Sequence, residues 1–451
     1  MRLQDSSTDA SVYQHVVVRG LPYERGLSHG QQARSKVRAN VEYYRRPGKL
    51  ASSTGVHAGS ELMNAIIDHV YTPALQDYYP SGYQEMQGIA DGAGVSLQDV
   101  VLLNSRYDLA RLGDEPGSRP VPLPLGTDAA AVARGAGDDA NECTSAFFSS
   151  EATPDGDWLV AQNWDMSARL WEDDCIIYLE VHPDASENRP SMFLVTEAGQ
   201  LGRSGMNSAG LGVAANSLMS SDDYVPLAYV DGRGAIHGQA LQKMLPISML
   251  RRMILESNHL AEALTAAYNF PRHVSNNLTV STAEGFGLCL EVTPHRINKV
   301  YRRIDDNYLV HANHFVSPAA AGVQCRYPGG SSWFRQQRLE ALVRARAQSK
   351  LLRPELLVEA LSDHLSFPEG LCVHPDRSPV DAVLRHLPGY PFRGISATVV
   401  CVVYNLTKRE VTVCKGPPCQ GVFQTFKVEG RLGNQLGART ATDAHDRPER
   451  P

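Results

Sequence analysis

An α+β fold, with two β-sheets packed together and helices outside them, is what this sequence predicts, and three observations carry it. Apolar residues recur at helical spacing through much of the chain before about residue 110. After Cys143 the character changes to short runs of β-branched and aromatic residues separated by tight-turn formers. Two helical groups then interrupt the strands, which resume after each, as expected for two sheets with helices on their outer faces.

Taken in order, residues 1–13 read as a loose leader, and Val16-Val17-Val18-Arg19-Gly20 as a β-branched strand stopped by glycine. Leu21-Pro22-Tyr23-Glu24-Arg25-Gly26 reads as a turn leading into a helix from about Ser28. Helical spacing returns in Glu61-Leu62-Met63-Asn64-Ala65-Ile66-Ile67 and in Tyr83-Gln84-Glu85-Met86-Gln87-Gly88-Ile89-Ala90. Ser96 with Asp99 three residues on approximates a capping box that starts another helix. From about 112 to 140 the chain is rich in Gly, Pro and Ala and predicts an exposed connection with no packed element, the kind of segment that tolerates a chain break.

Two β-forming runs follow, Cys143 to Phe148 and Trp158 to Asp165, joined through the turn sequence Thr153-Pro154-Asp155-Gly156-Asp157. Pairing about that turn places Cys143 across from Asn163 and returns Asp165 to the cysteine's side of the hairpin. Further strands are predicted at 175–179, 192–196, 210–215, 277–280, 288–292, 308–313, 397–404 and 410–414. Helices are predicted at about 236–257, 259–268, 331–347 and 354–364, and residues 439–451 read as a disordered tail.

Composition narrows the function classes. At 451 residues, 43% hydrophobic and 20% charged, the chain is globular. A formal net charge of -6 and the lack of a Lys/Arg cluster leave no footprint for nucleic acid, so a small or neutral partner is expected. The longest apolar stretch, 397–404, falls far short of the roughly 20 residues that span a bilayer, so no membrane segment is expected. A polar start without a signal-peptide core and eight dispersed cysteines fit reduced thiols in the cytoplasm. Cys414-Lys-Gly-Pro-Pro-Cys419 has a metal-compatible spacing but no accompanying Cys/His pair in sequence, and His311 and His314 lack an acidic partner motif, so no metal or cofactor is expected.

Most buried cysteines are small hydrophobes. Cys143 is set apart by starting a strand at the mouth of the long connection, with Asp165 returning toward it. No histidine lies near it in sequence to serve as a base. A chain break before Cys143 would supply one, because an α-amino group titrates near 7.7–8.0.

A series of motifs in fixed order then resembles one family. They are Gly20-Leu21-Pro22-Tyr23-Glu24-Arg25-Gly26, Gly88-Ile89-Ala90-Asp91-Gly92-Ala93, Leu102-Leu103-Asn104-Ser105-Arg106, Cys143-Thr144-Ser145-Ala146 and Gln162-Asn163-Trp164-Asp165. Glu197-Ala198-Gly199, Gly205-Met206-Asn207-Ser208-Ala209-Gly210, His311-Ala312-Asn313-His314 and Ser332-Trp333-Phe334-Arg335 continue it. The chain resembles the isopenicillin N acyltransferases (acyl-CoA:6-aminopenicillanate acyltransferases) within the self-processing N-terminal-nucleophile (Ntn) hydrolases.

That resemblance implies a four-layer αββα sandwich and autocatalytic cleavage between Glu142 and Cys143. It implies an α chain of residues 1–142 and a β chain of 143–451 that stay together as a heterodimer. Cys143 matches the nucleophile, Asp165 the residue orienting its new amine, and Asn313 the donor to the oxyanion. Thr293 falls where the family places a substrate-binding hydroxyl residue, and Arg393 is an approximate match to a late arginine. Two departures are the long 112–140 segment and Glu142, where the family often has glycine; the chain also ends Arg447-Pro448-Glu449-Arg450-Pro451 rather than on a peroxisomal signal. The implied activity is a cysteine acyltransferase of specialised metabolism, such as antibiotic biosynthesis, moving an acyl group from acyl-CoA as co-substrate, or from an amide, to an amine of an amino-acid or peptide-like metabolite. The alternatives are an amidohydrolase of such amides and an unprocessed, non-catalytic binding protein of the same fold.

Overall fold

The computed structural model of the chain describes residues 11–46, 50, 60–110, 119–120, 142–230, 234–326, 330–375 and 396–430. An eight-stranded sheet runs, edge to edge, through Gln14–Gly20, Ile176–Pro183, Met192–Glu197, Ser204–Asn207, Leu211–Ser217, Asn276–Thr282, Phe286–Val292 and Ile297–Val300. A six-stranded antiparallel sheet runs through Tyr308–His311, Glu142–Phe148, Leu159–Ser167, Ser396–Asn405, Glu410–Lys415 and Phe423–Lys427.

Three apolar cores define the layers. One joins the eight-stranded sheet to the helices Pro22–Gln32, Arg34–Arg45, Pro80–Ala93, Leu97–Leu109 and Ile247–Leu255, through residues such as Val37, Ile89, Leu103, Leu250, Leu179 and Val213. A second lies between the sheets, where Phe147, Trp164 and Val402 meet Tyr178, Phe193 and Ala214. The third packs Phe148, Ala161 and Val403 on Leu339, Val343 and Leu357 of helices Ser331–Gln348 and Pro354–Leu361. Alternate side chains of each strand thus face different cores, and the architecture is αββα. Among the described residues no helix is long and apolar enough to cross a membrane.

Residues from before position 143 are built into the body of the fold. Gln14–Gly20 pairs in parallel with Ile176–Pro183 at the edge of the large sheet. Helices Pro22–Gln32 and Pro80–Ala93 touch backbone to backbone: a Cβ on Gly26 would lie 1.9 Å from the Glu85 carbonyl oxygen, and one on Gly88 would lie 2.1 Å from that of Tyr23. Only glycine admits that approach.

The structure departs from the sequence expectations at several elements. The first helix starts at Pro22 rather than near Ser28, because proline suits the first helical position and the Glu24 carboxylate accepts the Leu21 N–H at 2.9 Å. The helix expected over 236–257 forms only at Ile247–Leu255, where buried Asp108 accepts the Ile247 N–H at 3.0 Å. Ile236–His237 instead pairs with Tyr229–Val230. That strand also pairs with Arg119–Pro120, a short ordered element inside the connection expected to have none. The rest of 112–140, apart from 119–120, and the 439–451 tail lie outside the described residues.

Candidate active site

The hairpin at Cys143 forms, but its register is one residue from the expected one. Cys143 pairs with Trp164 and Glu142 with Asp165. The connection, which holds the 3-10 turn Ser150–Ala152, runs over 149–158, one residue longer than the 149–157 that the expected pairing would leave. A slip of one residue exchanges the faces of a strand. The Cys143 and Trp164 side chains share the core between the sheets. Asp165 therefore lies on the face shared with Thr144 and Asn163, toward the outer helices, rather than on the side of the thiol as the sequence expectation had it.

Asn313 comes to Cys143 through a strand pairing. Tyr308–His311 lies against Glu142–Phe148 with His311 opposite Ser145, so two further residues bring Asn313 opposite Cys143. There its Oδ1 accepts the Cys143 N–H at 2.9 Å, and its Nδ2 donates to the Ser217 carbonyl at 2.9 Å. Arg335, fully buried at the start of helix Ser331–Gln348, closes this arrangement. Nη1 donates to the Cys143 carbonyl at 2.9 Å and to Thr144 Oγ1 at 2.7 Å, and Nη2 to Asn313 Oδ1 at 2.8 Å. Asn216 Nδ2 holds the carbonyls of His311 and Ala312 at 2.7 and 2.9 Å and approaches that of Cys143 at 3.4 Å. The backbone of Cys143 is thus gripped at both its N–H and its C=O.

The thiol stands in a buried but cationic setting. Burial, then the Asp165 charge, pushes the Cys143 thiol up to about 11, against the opposing pull of Arg203 and Arg335. Its exposure is 3%. Arg203 lies 4.9 Å over the Trp164 ring and is held by Glu197 at 2.9 Å. Glu197 is itself held by Arg106 Nε at 2.8 Å and Tyr44 Oη at 2.8 Å. At neutral pH the thiol of the continuous chain is protonated, so sulfur can attack only as that proton passes to another atom.

Asp165 accepts from Thr398 Oγ1 at 2.6 Å, and Asn163 Nδ2 binds the Leu361 and Leu371 carbonyls at 2.9 Å each. His311 contacts Glu291 at 3.0 Å, and His314 contacts Ser332 Oγ at 2.7 Å. Burial and the charges of His311 and Arg335 lower His314 to about 4. Thr293 sits just past the end of Phe286–Val292, its hydroxyl donating to Asp222 at 3.2 Å. Arg393 lies outside the described residues. Arg335 and Arg203 are the residues that sequence reasoning left without a role. The Ser332-Trp333-Phe334-Arg335 motif was the available signal for the first. A hollow of about 570 Å³ lined by Gln31, Arg34, Arg38 and Glu42 lies on the outer helices and includes none of these site residues.

Comparison with known proteins adds a family. A model of the acyl-coenzyme A:6-aminopenicillanic acid acyl-transferase family matches residues 152–419, a span that holds Asp165, Thr293, Asn313 and Arg335 and begins after Cys143. The acyl-coenzyme A:6-aminopenicillanic-acid-acyltransferase 40 kDa form of Emericella nidulans is 25% identical over 370 residues, covering 79% of this chain and 84% of that protein. Among solved structures, a conjugated bile acid hydrolase from Clostridium perfringens covers 64% of this chain and 97% of its own, at 13% identity and a TM-score of 0.38. An N-acylethanolamine-hydrolyzing acid amidase ortholog from Caenorhabditis elegans covers 59% of this chain and 93% of its own, at 16% identity and a TM-score of 0.35.

Proposed function

This chain belongs to the acyl-coenzyme A:6-aminopenicillanic acid acyl-transferase family, and from that premise we propose that it cuts its own Glu142–Cys143 bond and then works as an N-terminal cysteine acyltransferase. Its donor is an acyl-CoA or an amide, and its acceptor is an amine of an amino-acid or peptide-like metabolite. The observation that supports this most directly is the grip on Cys143: Asn313 Oδ1 holds the N–H of the Glu142–Cys143 peptide bond, and Arg335 holds both that Asn313 oxygen and the Cys143 C=O of the next peptide, so the backbone on the thiol's own residue is fixed.

In the first reaction the Cys143 Sγ attacks the Glu142 carbonyl carbon, the C–N bond breaks, and the Cys143 nitrogen takes the thiol proton. Water then hydrolyses the Glu142 thioester, leaving a free carboxylate, a thiol and a new α-amine. That amine, with a reference pKa near 7.7–8.0, is the base the buried thiol needs. In the second reaction it takes the thiol proton while sulfur attacks the donor carbonyl. The proton passes to the departing thiol or amine, and the acceptor amine takes the acyl group from Cys143. Asn313 donates to the oxyanion through Nδ2, a contribution of about 3 kcal/mol in comparable sites. Asp165, one residue along from Cys143's strand partner, orients the α-amine. Thr293 and Arg393 carry no step in this scheme.

The cut pieces stay together as a heterodimer in this reading. Arg25 and Glu85 from the first piece bind Arg252 and Glu187 from the second, and Gln14–Gly20 remains in the large sheet. The test is a denaturing gel of fresh protein, expected to show fragments of roughly 15.5 and 34 kDa by residue proportion from 49.3 kDa. Cys143→Ala is expected to abolish both cleavage and turnover. Processed protein given an acyl-CoA and candidate amines is expected to yield an amide by mass spectrometry; free acid alone would make it an amidohydrolase, and a lasting single band would leave an unprocessed binding protein.

A further inference from the structure

On the outer side of the six-stranded sheet, a second cluster supplies none of the groups that react in the proposed chemistry. We propose that His364, Cys372, His374 and Cys419 form a structural zinc site. Their ligand atoms all lie within 4.8 Å of one another. Zinc bonds of about 2.3 Å to sulfur and 2.0–2.1 Å to nitrogen, set at tetrahedral angles, require S–S, S–N and N–N edges of about 3.8, 3.6 and 3.3 Å. The Cys372 and Cys419 sulfurs are 3.7 Å apart. His374 Nε2 lies 3.5 Å from Cys372 Sγ and 3.4 Å from Cys419 Sγ. His364 and His374 Nε2 are 3.1 Å apart. Four edges therefore agree with one tetrahedron.

Hydrogen bonding alone does not account for this convergence. An imidazole nitrogen carries either one proton or one lone pair, yet His374 Nε2 faces three polar atoms at 3.1–3.5 Å. A cation between them satisfies all of these contacts at once. Two thiolates and two imidazoles in tetrahedral array select zinc over magnesium, calcium or manganese, and four protein ligands leave no open position for catalysis. Cys372 is buried, whereas His364 and Cys419 are exposed, which gives the ion an entry path.

The fold brings the ligands together from two places. The loop after helix Pro354–Leu361 closes on itself: Cys372 N–H donates to the Asp363 carbonyl at 3.1 Å and His374 N–H to that of Pro368 at 3.0 Å. Cys419 comes from the turn at Pro417-Pro418 between the last two strands. Spacing in the sequence associates Cys419 with Cys414, but the fold associates it with residues some 45 to 55 positions earlier. Between two of the ligands, Val373 donates to Thr398 Oγ1 at 2.8 Å, and that hydroxyl donates to Asp165 at 2.6 Å. The ion would brace the loop that holds Asp165.

The test is metal content, which does not depend on turnover. Protein from zinc-replete culture, purified without chelator, should carry stoichiometric zinc by plasma mass spectrometry, and cobalt exchange should give intense visible bands with thiolate-to-cobalt charge transfer. Cys419→Ser and His364→Gln, each at an exposed position, should keep less than about a tenth of that zinc after dialysis, given the 10- to 100-fold losses that even outer-shell changes cause. Cys325→Ser should keep it all. Zinc-free wild-type protein, wild-type zinc content in Cys419→Ser, or a Cys372–Cys419 disulfide in place of metal would each overturn the proposal.

Discussion

Replacing Arg335 by methionine tests whether the grip on Cys143 places the bond to be cut. The change keeps a long apolar stem but removes the donors to the Cys143 carbonyl, Thr144 Oγ1 and Asn313 Oδ1, at 2.9, 2.7 and 2.8 Å. Two of these bonds position Cys143: one holds its carbonyl, in the peptide after the bond to be cut, and the other holds the Asn313 oxygen that receives the N–H of the reacting peptide. A hydrogen bond from a charged group is worth about 1.5–3 kcal/mol. At the lower figure the two together contribute about 3 kcal/mol, which as lost transition-state positioning is roughly a hundredfold in rate. A time course of freshly made protein on denaturing gels should show cleavage slowed by about that factor. Thr144→Val removes one Arg335 contact and leaves the Cys143 and Asn313 contacts, so it should slow cleavage by less than about tenfold. Arg335→Lys separates charge from geometry, because an ammonium cannot reproduce the planar fork. Its cleavage should resemble that of Arg335→Met. Cleavage of the folded methionine variant at the wild-type rate, with an unchanged melting temperature, would refute the reasoning.

Four further outcomes follow from the same structure. In full-length chain, alkylation of Cys143 should rise about tenfold per pH unit between pH 7 and 10, because burial holds the thiol near 11; in the cleaved fragment it should level off near the amine's pKa of about 8, and identical profiles would remove burial as the cause. The sign for stability is the same: the unfolded chain loses this thiol proton first, so the fold loses stability as pH rises from about 9 toward 11, measurable by denaturant titration. Asp165→Asn should lower kcat more than tenfold, by analogy with the loss of an oriented base, and unchanged kinetics would remove Asp165 from the amine. Glu85→Ala removes the carboxylate shared by buried Arg25 and Arg252, which keep Glu187 and Glu256, and should cost about 1.5–3 kcal/mol, read as a lower melting temperature and weaker co-elution of the two fragments.

The sequence showed the layers more readily than the register. β-branched runs marked most strands of both sheets because their periodicity is local. Ser204–Asn207, Ile297–Val300 and Phe423–Lys427 escaped because four- and five-residue strands have little periodicity to read. The hairpin register was misread because it depends on a 3-10 turn that turn-forming residues alone do not specify, and one residue of error moved Asp165 to the other face of the strand. Asn313 entered through a motif, yet its place opposite Cys143 depends on a strand pairing across more than 150 residues, which no local pattern contains. Arg335 closes the Ser332-Trp333-Phe334-Arg335 motif in sequence, but only its burial against Cys143 shows what it holds.

The slipped register gives the strand Leu159–Ser167 two tasks that the expected pairing would have combined. Its inner face puts Trp164 beside the thiol, under Arg203. Its outer face puts Asn163 on the carbonyls of Leu361 and Leu371, and Asp165 on Thr398, which also binds Val373. A carboxylate beside the thiol on the inner face would raise the thiol's pKa further by direct repulsion. Set on the outer face, Asp165 acts on the thiol through the strand while its own oxygen is held by a hydroxyl anchored to the 362–375 loop. In the proposed mechanism the nucleophile and its amine would then be tuned from opposite faces: the thiol by arginines between the sheets, the amine by an aspartate whose position depends on how firmly that loop is closed.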